Sequence, residues 1–120
     1  RSPRTARSPA VTVRQTGEFE NIHPAVDAAL YRLAQESVTN AVRHSRQATE
    51  VDVHVHGDNN AVRLTVVDDG AASPGTPSPG YGIIGMTERA KLLGGTLDVG
   101  PRNGGGWSVE AVLPRRDDAG

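Results

Sequence analysis

The segment from about Pro24 to Ser45 carries the strongest periodic pattern in the 120-residue chain. Advancing about 100° per residue from Leu33 gathers its apolar residues on one broad face, as in an amphipathic α-helix. Pro24 suits the first helical turn, and Asp27 stabilises the positive end of the helix dipole. The face comprises Val26, Ala29, Leu30, Leu33, Ala34, Ser37, Val38 and Ala41. A long helix of this kind must be covered by a sheet or by other helices.

Two polar residues lie at the edge of this face. Asn40 lies just inside the edge and Glu36 one step beyond it, and because they are four residues apart their side chains are neighbours. A carboxylate and an amide beside a buried surface need hydrogen-bonding partners or a cavity. The pair therefore indicates a site, although a solvated helix edge would show the same pattern.

Alternating residues predict strands after this helix. Residues 50–56 alternate valine with polar residues, turn residues follow at 57–60, and the segment 61–67 alternates again. This pattern predicts a β-hairpin whose second strand ends at Asp68. Further strands are predicted at 11–13, 96–99 and 107–113, and a second helix at about 83–93. The order β-α-β-β-loop-α-β-β indicates an α+β, two-layer sandwich with helices on one face of a mixed sheet.

Composition excludes several classes of protein. The chain has no cysteine, so it forms no disulfide or thiolate metal site, which suits a cytosolic domain. Its formal net charge of -1 gives no field that would attract nucleic acid or a membrane surface. No apolar run approaches the roughly 20 residues that a membrane helix needs. We expect a linker at 1–10, one domain at 11–114 and a polar tail at 115–120, within a longer protein because the chain lacks an initial Met.

A glycine-containing loop precedes the second helix. Residues 70–80 are only Gly, Ala, Ser, Pro and Thr, which predicts mobility, and Gly80, Gly82 and Gly85 then follow the spacing GxGxxG. A dinucleotide-binding fold would need a strand directly before this motif, so we reject that reading. Glycines still let a ligand approach the backbone, and a helix beginning near Ile83 presents free N–H groups to an anion. A turn with an ordinary helix start is the alternative.

The strand-end sequence Asp68-Asp69-Gly70 also has two interpretations. A simple turn is the more common use of these residues. In a site, one carboxylate would accept a hydrogen bond from an amino group such as that of adenine, with the ring lying against Gly70. The oxygen of Asn40 would suit Mg²⁺, and Glu36 could orient or deprotonate a metal-bound water.

Four other polar residues are ambiguous as well. Arg43 and His44 continue the first helix and could meet phosphates, or they could be exposed charges near its end. His54 and His56 lie on one side of a strand and could bind a metal, although a solvated strand face is the more common arrangement.

Together these segments resemble the catalytic and ATP-binding domain of bacterial sensor histidine kinases, in the group that includes gyrase B, the mismatch-repair ATPase and the ninety-kilodalton chaperone. Residues 30–45 resemble the N box, 67–70 the first glycine box, 80–95 the second, and 104–114 the closing strand. The short spacing between boxes and the Gly-Met-Thr-Glu-Arg run at 85–89 are similar to the subfamily paired with helix-turn-helix response regulators.

The resemblance implies a Bergerat-type fold and a role for each residue. Asp68 would bind the adenine amino group, Asn40 would hold Mg²⁺ bridging the ATP phosphates, and Glu36 would be the catalytic residue that positions water or a proton. Residues 71–82 would form the ATP lid. The remaining contacts to ATP would come from Arg43, His44, Gly70, Gly80, Gly82, Ile83 and Gly85.

The implied function is transfer of the ATP γ-phosphate to a His on a dimerisation domain outside this chain, and then to a response regulator. The isolated domain should be monomeric, the full-length protein a homodimer, and its location cytoplasmic, including the cytoplasmic part of a membrane-bound sensor. The sequence departs from the family at Ala72, where a second glycine is usual. Two alternatives stay open: a serine kinase of the anti-sigma-factor type, and a degenerate module that binds nucleotide or partners without catalysis.

Overall fold

A computed structural model describes residues 10–44, 49–70, 83–102 and 105–115. The elements follow the predicted order, and the first strand is longer than predicted, beginning within the expected linker. They are β1 (Ala10–Gly17), α1 (Pro24–His44), β2 (Glu50–Gly57), β3 (Ala61–Asp68), α2 (Ile83–Leu92), β4 (Thr96–Pro101) and β5 (Trp107–Pro114).

The strands form one mixed sheet in the order β1-β2-β3-β5-β4. β1 pairs with β2 in parallel, and the other neighbours are antiparallel. At one end of the sheet, Asp68 pairs with Val51 on β2 and with Trp107 on β5. The end of β3 therefore lies between the starts of two neighbouring strands, which fixes it from both sides.

The core lies between the two helices and one face of the sheet. On β2, β3 and β5 every second residue is buried, as the alternating valines predicted. α1 contacts β2, β3 and β5, while α2 contacts β4 and β5. Leu33 of α1 and Leu64 of β3 are completely buried, and such burial stabilises the fold by about 1.5–3 kcal/mol for each side chain. The structure thus confirms the two-layer α+β class.

The helix layer does not cover β1. Val11 and Val13 pair with Val51 and Val53 and so lie on the helix-facing side of the sheet. They nevertheless remain 44% and 61% exposed, as edge-strand residues beyond α1. The short apolar run therefore predicted the strand but not its solvent exposure.

Capping hydrogen bonds define the helix ends. At the start of α1, the ring Nδ1 of His23 accepts a hydrogen bond from the Ala25 N–H at 3.0 Å. At the end of α2, Gly94 adopts a φ of 81°, and the Gly95 N–H donates to the carbonyl of Ala90 at 2.8 Å. This arrangement is a Schellman cap, for which glycine in the left-handed region is favoured. It agrees with the prediction that Gly94 and Gly95 end the helix.

Arg115 is anchored to the fold, although the sequence placed it in a polar tail. Its guanidinium donates hydrogen bonds to the carbonyls of Glu18, Asp58 and Glu20 at 2.6–2.8 Å. At this end of the sheet, opposite Asp68, Glu18, Glu20 and Arg115 line a cleft of about 410 Å³. The cleft contains none of the predicted site residues.

Candidate functional site

Asp68 is a buried carboxylate at the end of β3. Its relative exposure is 3%, and it follows Val62, Leu64 and Val66 on the helix-facing side of the sheet. The Gly70 N–H donates to its Oδ1 at 2.8 Å. A buried carboxylate is costly without partners. The turn supplies one hydrogen bond to Oδ1, and among the described residues none donates to Oδ2, which can accept another.

Asp69, the next residue, points outward and has a different role. Its Oδ1 accepts the N–H groups of Thr49 at 2.8 Å and Glu50 at 3.0 Å, and its Oδ2 accepts the Thr49 hydroxyl at 2.6 Å. The bond from the Thr49 hydroxyl, followed by those from the two N–H groups, lowers the pKa of Asp69 to about 2. Sequence reasoning did not assign this role, because Thr49 lies 20 residues away along the chain.

Gly106 lies against the same turn from the β5 side. Its φ is 96°, and a Cβ at this position would collide with the carbonyl oxygen of Asp68 and lie 3.5 Å from the Cα of Asp69. Only glycine combines this conformation with so close an approach. The resemblance placed Gly106 in the closing strand but gave it no part in the site, since its proximity to Asp68 is a tertiary contact.

The carboxyl-terminal half of α1 lies at the same end of the sheet as Asp68. α1 begins at the opposite end, where the His23 N–H donates to the Arg115 carbonyl at 3.2 Å. The chain then returns to β2 at Thr49 and Glu50, which bond to Asp69. The helix therefore runs toward the turn at 68–70.

On this part of α1 the structure places Glu36 and Asn40, both half-buried. Their oxygens are the hard donors that Mg²⁺ prefers, and a Mg²⁺ site commonly has one or two protein ligands completed by phosphate and water. Within the described ranges, no three His, Cys, Asp or Glu side chains form a metal cluster. Glu36 and Asn40 thus fit a metal ion that is also coordinated by nucleotide phosphates better than a metal ion coordinated by protein ligands alone.

α2 begins beside the same helix. The Ser37 hydroxyl donates to the sulfur of Met86 in the first turn of α2 at 3.5 Å, and both side chains are buried. The first turn begins at Ile83, which is half-buried, while Gly85 is exposed, with no atom within 4 Å of a Cβ built on it. The amino terminus of α2, with its free N–H groups, therefore lies next to the α1 segment that carries Glu36.

Several predicted site residues lie outside the part of the chain that the structure describes. Gly80 and Gly82 fall there, with the rest of the predicted lid at 71–82 and the departure from the family at Ala72. Arg43 and His44 belong to α1, but their side chains are not described. Their proposed contacts with phosphates stay predictions.

His54 and His56 lie on the open face of the sheet and are separate from this site. Both ring systems make a hydrogen bond with the Thr16 hydroxyl on β1, through Nε2 of His54 at 2.9 Å and Nδ1 of His56 at 2.8 Å. The described part of the chain brings no further carboxylate or histidine into a cluster with them. The observed role of the pair is to join β1 to β2.

Comparison with known proteins identifies the family. Residues 25–117 match the family described as histidine kinase-, DNA gyrase B-, and HSP90-like ATPase. The chain belongs to this ATPase family. The predicted resemblance to this group of ATPases is therefore confirmed, and the buried Asp68, the polar edge of α1 at Glu36 and Asn40, and the start of α2 lie within the matched region.

Proteins similar in sequence include a sensor histidine kinase and a nitrate/nitrite sensor protein. The chain is 34% identical over 95 residues to sensor histidine kinase YxjM of Bacillus subtilis, covering 79% of this chain and 23% of YxjM. It is 43% identical over 82 residues to the nitrate/nitrite sensor protein NarX of Escherichia coli K12, covering 67% of this chain and 14% of NarX. The chain thus spans about a quarter or less of the length of these relatives.

Solved structures support the fold. The histidine kinase domain of the blue-light activated histidine kinase EL346 from Erythrobacter litoralis superposes with a TM-score of 0.66 at 23% identity, covering 88% of this chain and 52% of that one. A larger structure of the same kinase gives a TM-score of 0.68 at 21% identity, covering 93% and 39%. Within the described residues, no helix of this ATPase domain is long and apolar enough to cross a membrane.

Proposed function

We propose that the chain binds ATP with Mg²⁺ and donates the γ-phosphate to a histidine on a dimerisation domain of the same full-length protein. The observation that carries this proposal is the buried Asp68, which accepts a hydrogen bond from Gly70 at the end of β3 and makes no ion pair with any described residue. A buried carboxylate with one oxygen left to accept a hydrogen bond suits the exocyclic amino group of adenine.

The polar edge of α1, at Glu36 and Asn40, lies where we place the phosphates of ATP. Asn40 would hold Mg²⁺ through its carbonyl oxygen, and the amino terminus of α2 near Ile83 would bind phosphate oxygens through backbone N–H groups. When bound, Mg²⁺ neutralises the charge on the phosphates. Arg43 and His44, with Gly80, Gly82 and Gly85 around the lid, complete the phosphate contacts in this proposal.

Phosphoryl transfer then depends on positioning and charge neutralisation. The acceptor histidine attacks the γ-phosphorus through a ring nitrogen, the bond from that phosphorus to the β,γ-bridging oxygen breaks, and ADP leaves. Glu36 assists by positioning or accepting the proton that the imidazole loses. The phosphoryl group passes next to an aspartate of a response regulator, which we place in the helix-turn-helix class because of the run at 85–89.

YxjM is named as a sensor histidine kinase and NarX as a nitrate/nitrite sensor protein, which favours this function over an anti-sigma-factor kinase. We accordingly place the domain in the cytoplasm, where ATP is available, as a monomer when isolated and as part of a homodimer in the full-length protein. Since the described residues include no candidate acceptor helix, the chain alone should bind ATP without becoming stably phosphorylated.

Incubation with [γ-³²P]ATP tests this division of roles. The chain alone should retain no stable label, whereas a longer version that includes the natural segment preceding residue 1 should become labelled at an acid-labile phosphohistidine. A Glu36→Gln change in the longer version should lower the labelling rate while ATP still binds. Stable labelling of the chain alone, or acid-stable phosphoserine in the longer version, would contradict the proposal.

A further inference from the structure

The carboxylate of Asp69 accepts hydrogen bonds from Thr49 and Glu50, where β2 begins. Its two oxygens accept three bonds, from the N–H and hydroxyl of Thr49 and the N–H of Glu50, at 2.6–3.0 Å. The Asp69 N–H donates to the Glu50 carbonyl at 3.3 Å, which extends the pairing of β3 with β2 by one step beyond Asp68. Asp69 thus attaches the strand end to β2 through both its backbone and its side chain.

This attachment determines where Asp68 can lie. The peptide between Asp68 and Asp69 is fixed from the β2 side by these bonds. From the β5 side Gly106 lies against it, since a Cβ at Gly106 would collide with the Asp68 carbonyl oxygen. The Gly70 N–H, one residue beyond Asp69, then fixes Oδ1 of Asp68. A change in the direction of Asp69 would therefore move the whole Asp68 carboxylate, including Oδ2, the oxygen proposed to accept the adenine amino group.

We propose that Asp69 is a positioning residue for purine selection: through Thr49 and Glu50 it sets the orientation in which Asp68 accepts the adenine amino group. This inference rests on the proposed nucleotide site and adds a second residue to its specificity. Asp69 itself does not touch the nucleotide. Loss of its three hydrogen bonds lets the turn at 68–70 shift, so that the Asp68 carboxylate distinguishes an amino group from a carbonyl less well.

The chain contains a matched control at the other end of the same hairpin. Asp58 is an exposed carboxylate whose Oδ1 accepts the N–H groups of Asn60 and Ala61, each at 2.8 Å. The backbone bond from Ala61, followed by that from Asn60, lowers the pKa of Asp58. Asp58 thus organises a turn much as Asp69 does, but it lies at the end of the sheet remote from Asp68.

The test compares the affinities for ATP and for inosine triphosphate, in which a carbonyl replaces the amino group of adenine. Isothermal titration calorimetry in the presence of Mg²⁺ measures the two affinities for the unaltered chain and for three variants: Asp69→Ala, Asp69→Asn and Asp58→Ala. One hydrogen bond to a charged group contributes a factor of roughly ten to a hundred to an affinity. We expect Asp69→Ala to lose about tenfold or more of the preference for ATP, whereas Asp58→Ala keeps it.

Asp69→Asn should keep the preference for ATP within about threefold of that of the unaltered chain. The amide oxygen of Asn can accept both N–H groups, and its NH₂ can donate to the Thr49 hydroxyl. A general loss of stability would lower the melting temperature of both alanine variants without changing the ratio of the two affinities. If Asp69→Ala fails to fold, Thr49→Val removes only the hydroxyl donor, and a smaller loss of preference is expected.

Two failures are distinguishable. If the unaltered chain binds neither nucleotide, both the proposed function and this inference are overturned. If the unaltered chain prefers ATP and the preference is unchanged in Asp69→Ala, or in Thr49→Val where that variant is used, the inference alone is overturned.

Discussion

The Ser37 hydroxyl donates a hydrogen bond to the sulfur of Met86 at 3.5 Å, joining the middle of α1 to the first turn of α2. Both side chains are buried, each with 1% exposure. Ser37 is a polar residue within the apolar face of α1, and this contact gives its hydroxyl a partner. The relationship matters for function because it holds the start of α2 beside Glu36 and Asn40.

Met86 should be important for stability at this junction. Met86→Ala removes most of a fully buried side chain and leaves a cavity, so we expect the free energy of unfolding to fall by about 2–5 kcal/mol. Met86→Leu nearly conserves volume and should cost less than about 1.5 kcal/mol. Urea denaturation of the two variants measures the difference. Equal stabilities would show that the side chain is not packed as described.

Gly106 should be required for both stability and ATP binding. Gly106→Ala places a Cβ against the Asp68 carbonyl at a positive φ, which should cost about 1–3 kcal/mol and weaken ATP binding by displacing Asp68. Gly105 is a matched control, since its φ is 108° but a Cβ there has no atom within 4 Å. Gly105→Ala should therefore show the conformational cost with normal ATP affinity. Equal losses of affinity in the two variants would contradict the role of the close approach.

The stability of the domain should depend on pH through Asp69. Its pKa is about 2 in the folded chain against an ordinary value of 3.8. A lowered pKa means that the folded state favours the ionised carboxylate, so its contribution is complete above about pH 4 and is lost as the pH falls through 2. Urea denaturation between pH 5 and pH 2 should show a steeper loss for the unaltered chain than for Asp69→Asn, which has no ionisable group there. If the free energy of unfolding fell equally with pH in the two proteins, Asp69 would not have this role.

Local patterns were sufficient to predict α1, the β2–β3 hairpin and the end of α2. In each case the decisive signals lie within a few residues of one another, such as the alternating valines that end at Asp68 or the Gly94-Gly95 stop. The same reasoning identified Glu36, Asn40 and Asp68, which the fold brings to one end of the sheet.

The supporting contacts could not be predicted because they join residues far apart in the chain. Ser37 and Met86 are 49 residues apart, and Thr49 and Asp69 are 20 apart. The full length of β1 was missed for a similar reason, since its eight residues are defined by parallel pairing with β2 rather than by their own pattern. Sequence reasoning thus found the groups proposed to bind ATP but not the groups that orient them.

Calorimetric titration of ATP with Mg²⁺ into the unaltered chain and into Asp68→Asn tests the central claim most directly. Asp52→Asn, which changes an exposed carboxylate on β2, is the matched control. We predict that the unaltered chain and Asp52→Asn bind ATP with equal affinity. Binding to Asp68→Asn should be weakened by at least about tenfold, because a charge-assisted hydrogen bond to adenine is lost. An unchanged ATP affinity in folded Asp68→Asn would contradict the assignment of the nucleotide site.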